Sequence, residues 1–452
     1  MLGPLLQYQS LKTVLLHTDA NTRFRISCHM PSIRDVEKRV PLKMSSLDMS
    51  CDYTTVVNDT RYRVGMIRHF LDGNAPSPIA RDIDLRDTLS DFDEFGFTFD
   101  AGNNVMLPGD VSFQLENRSE VRRDTEEDER KYRDELRIHE EALKMQAELK
   151  SKGITVEEYL KNQGPILGDR FGRAFGKEAR MRYILEHSLE RISYRVEYFK
   201  LSLLPFDCRR NNTKPFFIQF TITKGEVRQI HRFEYNKKLF EVCKYLKEAL
   251  FGRRAMPIQV GRLVMDGWET IHRLPIGFRL HAKHVHTSLN NLAHASFLLI
   301  VENSERLETV VTRFSMRRDA FQCQIVRNAR RLVIRKSFHD RPRLNEAIQD
   351  LPNLDITIEI LLSPAAIFSL IQTWLSGDRP IGASCRIEVK NDEIAREVLK
   401  LVRTRYEKTK RIFRCVTIDQ TNSPKVEVSY VPFTPPRSDR KKWLLKTRIV
   451  NA

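Results

Sequence analysis

The sequence lacks long apolar runs and closely spaced cysteines. No stretch of 18 apolar residues occurs, so we predict no membrane-spanning helix. The seven cysteines are odd in number and widely separated, with no C-x-x-C pair, which disfavours both a disulfide framework and a zinc ribbon. The first residues do not show the basic and then apolar pattern of a signal peptide. We therefore expect a cytoplasmic or nuclear protein with reduced thiols.

Recognisable catalytic motifs are missing as well. There is no G-x-S-x-G elbow. Residues 172–178 contain glycines and a lysine, but their spacing is too short for a phosphate loop, and Glu178 stands where a metal-binding Ser or Thr is needed. His281, His284 and His286 lie close together without the further Cys or carboxylate ligands that a metal site usually has, which favours solvent- or ligand-facing histidines on a strand. We expect no enzyme activity, no metal and no cofactor.

Positive charge is concentrated in the second half of the chain. The net charge is +17, and residues 313–343 and 403–448 carry net charges of +8 and +9. Such segments suit an acidic partner or a nucleic acid, or they form an ordinary solvated surface. The residues expected to bind nucleic acid under that alternative are Arg330, Arg331, Arg335 and Lys336.

Residues 5–42 have the pattern of two or three short helices separated by polar turns. Leu6, Leu11, Val14 and Leu15 follow helical spacing, and Pro31 is placed to begin a further short helix. A small helical unit of this kind is typical of a docking device. The alternative is that these helices cap the first sheet of the protein.

The middle of the chain predicts a mixture of strands and helices. Residues 52–70 alternate around an Asn58-Asp59 turn, as a β-hairpin does. Residues 118–152 contain ten Lys or Arg and eleven Asp or Glu side chains and predict one long exposed helix that ends at Gly153. Further strands are expected at 194–199 and 216–222, followed by a helix at 235–251.

From residue 258 the chain shows a loose internal repeat of a short strand, a polar turn and a helix-like stretch. The predicted strands are 260–265, 278–285, 307–312, 330–335 and 354–360, followed by strands at 383–389, 413–418 and 425–431, a helix at 391–406 and a surface tail. A period of roughly 20 to 26 residues resembles a leucine-rich-repeat-like unit.

The predicted fold class is therefore α/β (α+β) in three regions. Residues 1–45 form a short helical segment, and 46–257 form a β-rich middle with one long charged helix. Residues 258–452 form an irregular leucine-rich-repeat-like region with a basic tail. A chain of 452 residues, with 41% apolar and 30% charged side chains, is long and apolar enough for two or three domains.

Four parts of the sequence carry a resemblance to a known family: LQYQSLKTVLLHTDANTRFRISCHMPSIRDVEKRVPL, LPGDVSF followed by RRDTEEDERKYRDEL, FFIQFTITKGEVRQIHRFEYNKKLFEVCKYLKEALFGRR, and Trp374 with the Ile-Gly that follows it. In these parts the sequence resembles the nematode-expanded F-box-C-like proteins, whose central region is a domain of unknown function. It implies a substrate-recognition adaptor of an SCF-type ubiquitin ligase. The N-terminal helices would bind a Skp1-like adaptor, and the C-terminal region would bind an unknown protein substrate.

Carried onto this sequence, the resemblance implies a specific apolar surface for the Skp1-like adaptor. Its members are Leu6, Leu11, Val14, Leu15, Phe24 and Ile33. Two alternatives remain open: a nucleic-acid-binding module that uses the two basic segments, and a diverged family member that has no link to a ligase.

Overall fold

The structure is a computed structural model, and we number its helices and strands along the chain. It describes residues 8–51, 53–68, 91–99, 105–113, 124–162, 177–214, 216–265, 271–288, 292, 294, 297, 300–302, 307–313, 321–335, 344–349, 351–377, 379–406, 409–419, 424–434 and 442–451.

The N-terminal segment is helical, as the sequence predicts. Its helices are α1 (Tyr8–His17), α2 (Ala20–His29) and α3 (Arg34–Arg39), with a single 3-10 turn at Pro31–Ile33 between the last two. The side chain of Asp19 caps α2 by accepting hydrogen bonds from the backbone N–H groups of Asn21 and Thr22. The polar turn in the sequence is therefore the start signal for the second helix.

Short strands follow the N-terminal helices. They are β1 (Lys43–Cys51), β2 (Thr54–Val57), β3 (Thr60–Arg68), β4 (Asp91–Phe92), β5 (Thr98–Phe99) and β6 (Val111–Ser112). The predicted hairpin is confirmed as β2 and β3, joined at Asn58, which has a φ of 55°. Asparagine tolerates this left-handed conformation better than most residues.

A helical layer comes next in the chain. It contains α4 (Glu126–Ser151), α5 (Val156–Asn162), α6 (Lys177–Leu185) and α7 (Leu189–Arg210). The long charged helix is confirmed as α4, which begins at a capping box formed by Thr125 and Asp128 and is followed by Gly153 at a φ of 68°. The strand predicted at 194–199 is wrong, because those residues lie within α7. Among the described residues, no helix is long and apolar enough to cross a membrane.

The remaining elements alternate between strands and helices. They are β7 (Phe216–Lys224), β8 (Val227–Glu234), α8 (Leu239–Phe251), β9 (Ile258–Met265), β10 (Ile271–His272), β11 (Leu280–Thr287), β12 (Thr309–Arg313), α9 (Gln324–Asn328), β13 (Arg331–Arg335), α10 (Leu344–Gln349), β14 (Asp355–Glu359), α11 (Pro364–Ser376), β15 (Ser384–Val389), α12 (Asp392–Arg405), β16 (Thr409–Ile412), β17 (Cys415–Ile418), β18 (Lys425–Phe433) and β19 (Lys442–Val450). The strands expected after residue 258 are present with shifted bounds. The expected helix at 235–251 begins only at Leu239, and β19 occupies part of the segment expected to be a tail.

Fifteen of the described strands form one mixed sheet. Their order is β16-β17-β18-β19-β15-β14-β13-β12-β11-β9-β1-β2-β3-β7-β8. The neighbours from β1 through β9 and β11 to β15 are parallel, and the pairs on both flanks are antiparallel. The fold is thus mixed α/β (α+β), as predicted, whereas its description as a leucine-rich-repeat-like region stays a prediction. The sheet runs through the expected boundaries at residues 45 and 257.

The core of the parallel section includes a row of apolar side chains that is in register across seven neighbouring strands. Its members are Leu47, Leu263, Val285, Val310, Leu332, Ile356 and Cys385. Each is at most 1% exposed, and Trp374 of α11 lies in the same core cluster. Because successive side chains of a strand point to opposite faces, this buried row fixes which residues can form the other face.

Candidate functional site

The side of the parallel strands opposite the core row carries mainly polar and charged residues. We call two rows of it the open face. Its first row is Ser46, Arg262, His284, Thr309, Arg331, Asp355 and Ser384, and its second is Asp48, Val264, His286, Val311, Val333, Thr357 and Arg386. Arg262 is exposed, and most of the others are half-buried. The first row crosses seven parallel strands, and each of these strands is paired on both sides. The sheet therefore holds the side chains of this row in a rigid arrangement.

Ion pairs between neighbouring strands hold the charged side chains of the open face. Asp355 Oδ2 lies 3.6 Å from Arg331 Nε and 3.1 Å from Arg386 Nη2. Next to the open face, Arg335 Nε lies 2.8 Å from Glu359 Oε2. Carboxylates are therefore interleaved with the arginines of this region. An arrangement with both signs of charge suits a protein surface with both signs better than it suits the uniformly negative backbone of a nucleic acid.

The flank of the open face at β19 is more strongly basic. Lys446 is aligned with Arg386 on the neighbouring strand β15. Burial lowers the pKa of Lys446, as do the charges of Arg448 and Arg386, whereas the carboxylates of Asp355 and Glu427 raise it. The positive charge of this flank is therefore partly balanced within the chain.

The three histidines singled out in the sequence all lie on β11. His281 Nε2 is 3.1 Å from Glu302 Oε2, and His284 Nε2 is 3.8 Å from Glu308 Oε2. His286 Nε2 lies 3.4 Å from Arg335 Nη1. Across the described part of the chain, no group of three or more His, Cys, Asp or Glu side chains is arranged to hold a metal ion.

The residues predicted to bind nucleic acid are only partly brought together. Arg331 and Arg335 lie on the same side of β13, and each is paired with a carboxylate of β14. Arg330 is exposed just before that strand. Lys336 lies outside the described residues. The carboxylates beside two of the four cations would oppose a phosphate at the same position.

A cluster of cationic and aromatic residues marks the second basic segment. The guanidinium carbon of Arg414 lies 4.9 Å from the ring centroid of Phe413, 5.6 Å from that of Tyr430 and 5.1 Å from that of Trp443. Contacts of this length are typical of cation–π stabilisation. The positive charge of Arg414 is therefore used in packing strands β17 to β19.

The residues predicted to face a Skp1-like adaptor occupy different environments. Leu15 is 1% exposed and Phe24 is 8% exposed, so both pack inside the chain and are not accessible to a partner in this structure. The Phe24 ring contacts the rings of Tyr62 and Phe251 edge-on, with centroids 6.4 and 5.9 Å away. Of the other residues predicted to face the adaptor, Leu11 and Ile33 are half-buried, Val14 is 50% exposed, and Leu6 lies outside the described residues.

A buried cluster of two arginines and one glutamate was missed by the sequence reasoning. Glu37 of α3 accepts from Arg23 of α2 and from Arg254, which follows α8, at 2.9 and 3.1 Å. Arg23 lies three residues after Ala20 and one before Phe24, on the buried stripe of α2. That helical spacing is a signal that could have revealed it, because a charged residue on a buried stripe needs a partner.

Comparisons with known proteins identify one matching region. Residues 238–391 match the model of a family described as a domain of unknown function (DUF3557), which covers about a third of the chain. The matched region begins beside α8 and ends after β15, so it includes β9 and β11 to β15 of the parallel section. No curated protein and no solved structure matches this chain. The expectation of a domain of unknown function is confirmed, and the relation to F-box proteins stays a prediction.

Proposed function

We propose that this chain is a protein-recognition adaptor that captures a protein partner on the open face. The observation that supports this most is the pairing of opposite charges between neighbouring parallel strands, with Asp355 held between Arg331 and Arg386. These groups are already positioned by the sheet, so a partner with complementary charges would bind without ordering them first.

The second part of the proposal is that the N-terminal helices connect the captured protein to an SCF-type ubiquitin ligase through a Skp1-like adaptor. Two exposed apolar residues of α1, Val14 and Leu16, flank the stripe that contains buried Leu15. In a helix with 3.6 residues per turn they lie on either side of that stripe. The contact with the Skp1-like adaptor would be made by the Val14 side together with half-buried Leu11, while Leu15 and Phe24 anchor the helices from beneath.

A pull-down with purified Skp1-like adaptor tests the ligase connection. Val14→Asp places a charge on the proposed contact and should abolish binding, whereas the matched Thr13→Asp, on the neighbouring exposed position of the same helix, should leave it unchanged. Circular dichroism would confirm that both variants are folded. The ligase connection is excluded if the native chain does not bind or if both variants bind as well as the native chain.

A second experiment tests the open face separately. Arg262 is exposed on β9 and is changed to Glu, with Arg228→Glu on the outer strand β8 as the matched control. Quantitative co-purification from cells should lose specific proteins only with Arg262→Glu. Labelled RNA and DNA are tested in parallel at about 50 mM salt, where phosphate contacts are strong. Nucleic-acid binding that disappears with Arg262→Glu would replace the protein-recognition role with the nucleic-acid alternative.

A further inference from the structure

A small pocket of about 50 Å³ lies beside the start of the parallel strands. It is formed by the residues that follow α8 and by the turn that precedes β11. Its lining includes Arg253, Arg254, Met256, Ile276, Phe278 and Arg279. Pockets that enclose a whole drug-sized ligand are several times larger, so this one suits a small charged group, with the rest of the ligand lying outside it. None of the lining residues belongs to the open face, so the inference drawn from the pocket does not depend on the adaptor role.

Three arginines line this pocket, and the acids near them are mostly occupied. Glu37 is shared between Arg254 and the buried Arg23, and its side chain is 2% exposed. Glu302 Oε1 lies 2.8 Å from Arg279 Nη1. In the described part of the chain, no carboxylate forms an ion pair with Arg253. The pocket therefore presents at least one cation that is available to an anionic ligand.

The backbone holds Arg253 in an unusual conformation. Its φ is 57°, in the left-handed region that most side chains avoid. Glycine would adopt this φ at lower cost, so an arginine here is a locally strained choice. The neighbouring Arg254 adds a second observation, because its side chain is 4% exposed and its Nε has no hydrogen-bond partner among the described residues.

A lysine of the N-terminal segment adds to the positive charge. The backbone N–H of Ala255 donates to the carbonyl oxygen of Lys38 at 3.2 Å, which fixes α3 against the pocket loop. Burial lowers the pKa of Lys38, and the charges of Arg254 and Arg253 lower it further, while Glu248 and Glu37 oppose this. Lys38 therefore has two carboxylates near it. Even so, the cations around the pocket still outnumber the acids.

Apolar side chains form the remaining wall of the pocket. Ile276 is 70% exposed and Met256 is 42% exposed, and both line the pocket together with the buried Phe278. Exposed apolar side chains next to a cationic cluster suit a ligand with an anionic end and an apolar body. Arginine guanidinium groups bind phosphate oxygens in a bidentate manner, which makes a phosphoryl group a better match than a single carboxylate for several arginines.

We propose that this pocket binds a phosphomonoester that is carried on a small apolar or aromatic group. Arg253 and Arg279 would bind the phosphoryl oxygens, and Arg254 would supply positive charge from behind. Ile276 and Met256 would contact the apolar body. The same chemistry is offered by a free phosphomonoester and by a phosphorylated tyrosine side chain.

Calorimetric titration of the full chain tests the proposal with three probes: phenyl phosphate, inorganic phosphate and a peptide that contains phosphotyrosine. Phenyl phosphate should bind at least about tenfold more tightly than inorganic phosphate, because only it reaches the apolar wall. Tighter binding of the phosphopeptide than of phenyl phosphate would identify a modified side chain as the ligand, and equal or weaker binding would identify a free phosphomonoester.

Variants separate a specific site from general attraction to a basic protein. Arg253→Gly removes the charge where the backbone favours glycine, so the fold is retained, and it should weaken binding by roughly ten- to hundredfold. Arg279→Gln should do the same, and the matched control Arg228→Gln on exposed β8 should not. The proposal is overturned if no probe binds, if inorganic phosphate binds as tightly as phenyl phosphate, or if Arg228→Gln weakens binding as much as Arg253→Gly.

Discussion

Arg23 and Glu37 form an ion pair inside the N-terminal segment, with 2.8 Å between Nη2 and Oε1 and with side chains only 1% and 2% exposed. Arg23 also donates to the carbonyl oxygens of Glu37, Val40 and Pro41, at 2.9, 2.9 and 2.7 Å. Arg23 therefore ties α2 to the segment between α3 and β1. It gives the helical segment a fixed position on the sheet.

Removal of the Glu37 charge should destabilise the whole protein. Glu37→Gln leaves Arg23 and Arg254 buried without a counter-charge, and breaking a buried pair in this way costs about 3 to 5 kcal/mol. The urea midpoint of unfolding measures the effect. Asp35→Asn, at an exposed position of the same helix, should change the free energy of unfolding by less than about 0.5 kcal/mol. An unchanged midpoint in Glu37→Gln would show that the pair has no structural role.

Asn353 should be needed for the turn that precedes β14. This residue is 3% exposed, and its Nδ2 donates to the carbonyl oxygens of Val326 and Ala329 at 2.7 and 2.6 Å. Asn353→Ala leaves these buried acceptors unsatisfied and should cost about 1 to 3 kcal/mol in the free energy of unfolding. Leu354→Ala, at the exposed neighbouring position, is the control. Equal effects of both changes would contradict the hydrogen-bonding explanation.

The stability of the fold should decrease in mild acid because of buried histidines. Burial, with a further contribution from the charge of Lys247, lowers the pKa of His272 to about 3 from 6.5. The unfolded chain therefore binds a proton at higher pH than the folded chain does. The contribution of neutral His272 to the free energy of unfolding is complete above pH 6.5 and is lost as the pH falls towards 3. His139 adds to this trend, since burial lowers its pKa to about 4.

Urea midpoints at pH 7.5 and pH 5 measure this dependence. His272→Leu removes one of the two titrating groups, so the difference between the two midpoints should become smaller. Gln229→Leu introduces the same side chain at an exposed position of β8 that has no titratable group, and it should leave that difference unchanged. A pH dependence that is identical in native protein and His272→Leu would show that His272 does not titrate as its burial requires.

Gly261 should be required for the parallel contact between β1 and β9. A Cβ atom built at this position would lie 2.6 Å from the carbonyl oxygen of Ser45 on the neighbouring strand. Gly261→Ala should therefore force the strands apart and cost about 1 to 3 kcal/mol. Gly65→Ala on β3 is a matched control, because its Cβ would meet no atom within 4 Å. Similar thermal midpoints for both variants would contradict the close approach.

The sequence predicts the strands of the second half well, because each has a compact group of Val, Ile and Leu between polar turns. It fails at 194–199, where Tyr, Val and Phe favour a strand locally. Over a longer stretch, Ile192, Val196 and Phe199 are spaced as one face of a helix, and this face is buried against α4. Tertiary packing overrides strand propensity there. A window longer than one strand would have revealed it.

The candidate site was less accessible to prediction. Apolar residues of the N-terminal segment were predicted to form a partner surface. The same helical spacing of apolar residues, however, is found on a face that packs inside the protein, and Leu15 and Phe24 are buried in this way. Which side is covered depends on Tyr62 and Phe251, which are distant in the sequence. Pairing of Asp355 with two arginines likewise depends on strand register, which no local pattern specifies.

The outermost strand β8 has a consequence for the behaviour of the protein in concentrated solution. Among the strands that the structure describes, β8 ends the sheet order, and all eight of its residues are exposed, including Val227, Ile230 and Phe233. A strand at the end of a sheet can be extended by another chain that pairs with its outer edge. Arg228 and Arg232 would keep two such edges apart through repulsion, which salt weakens. Crowding and high ionic strength together should therefore turn single molecules into dimers, and the tendency should vanish when a proline is placed midway along that edge.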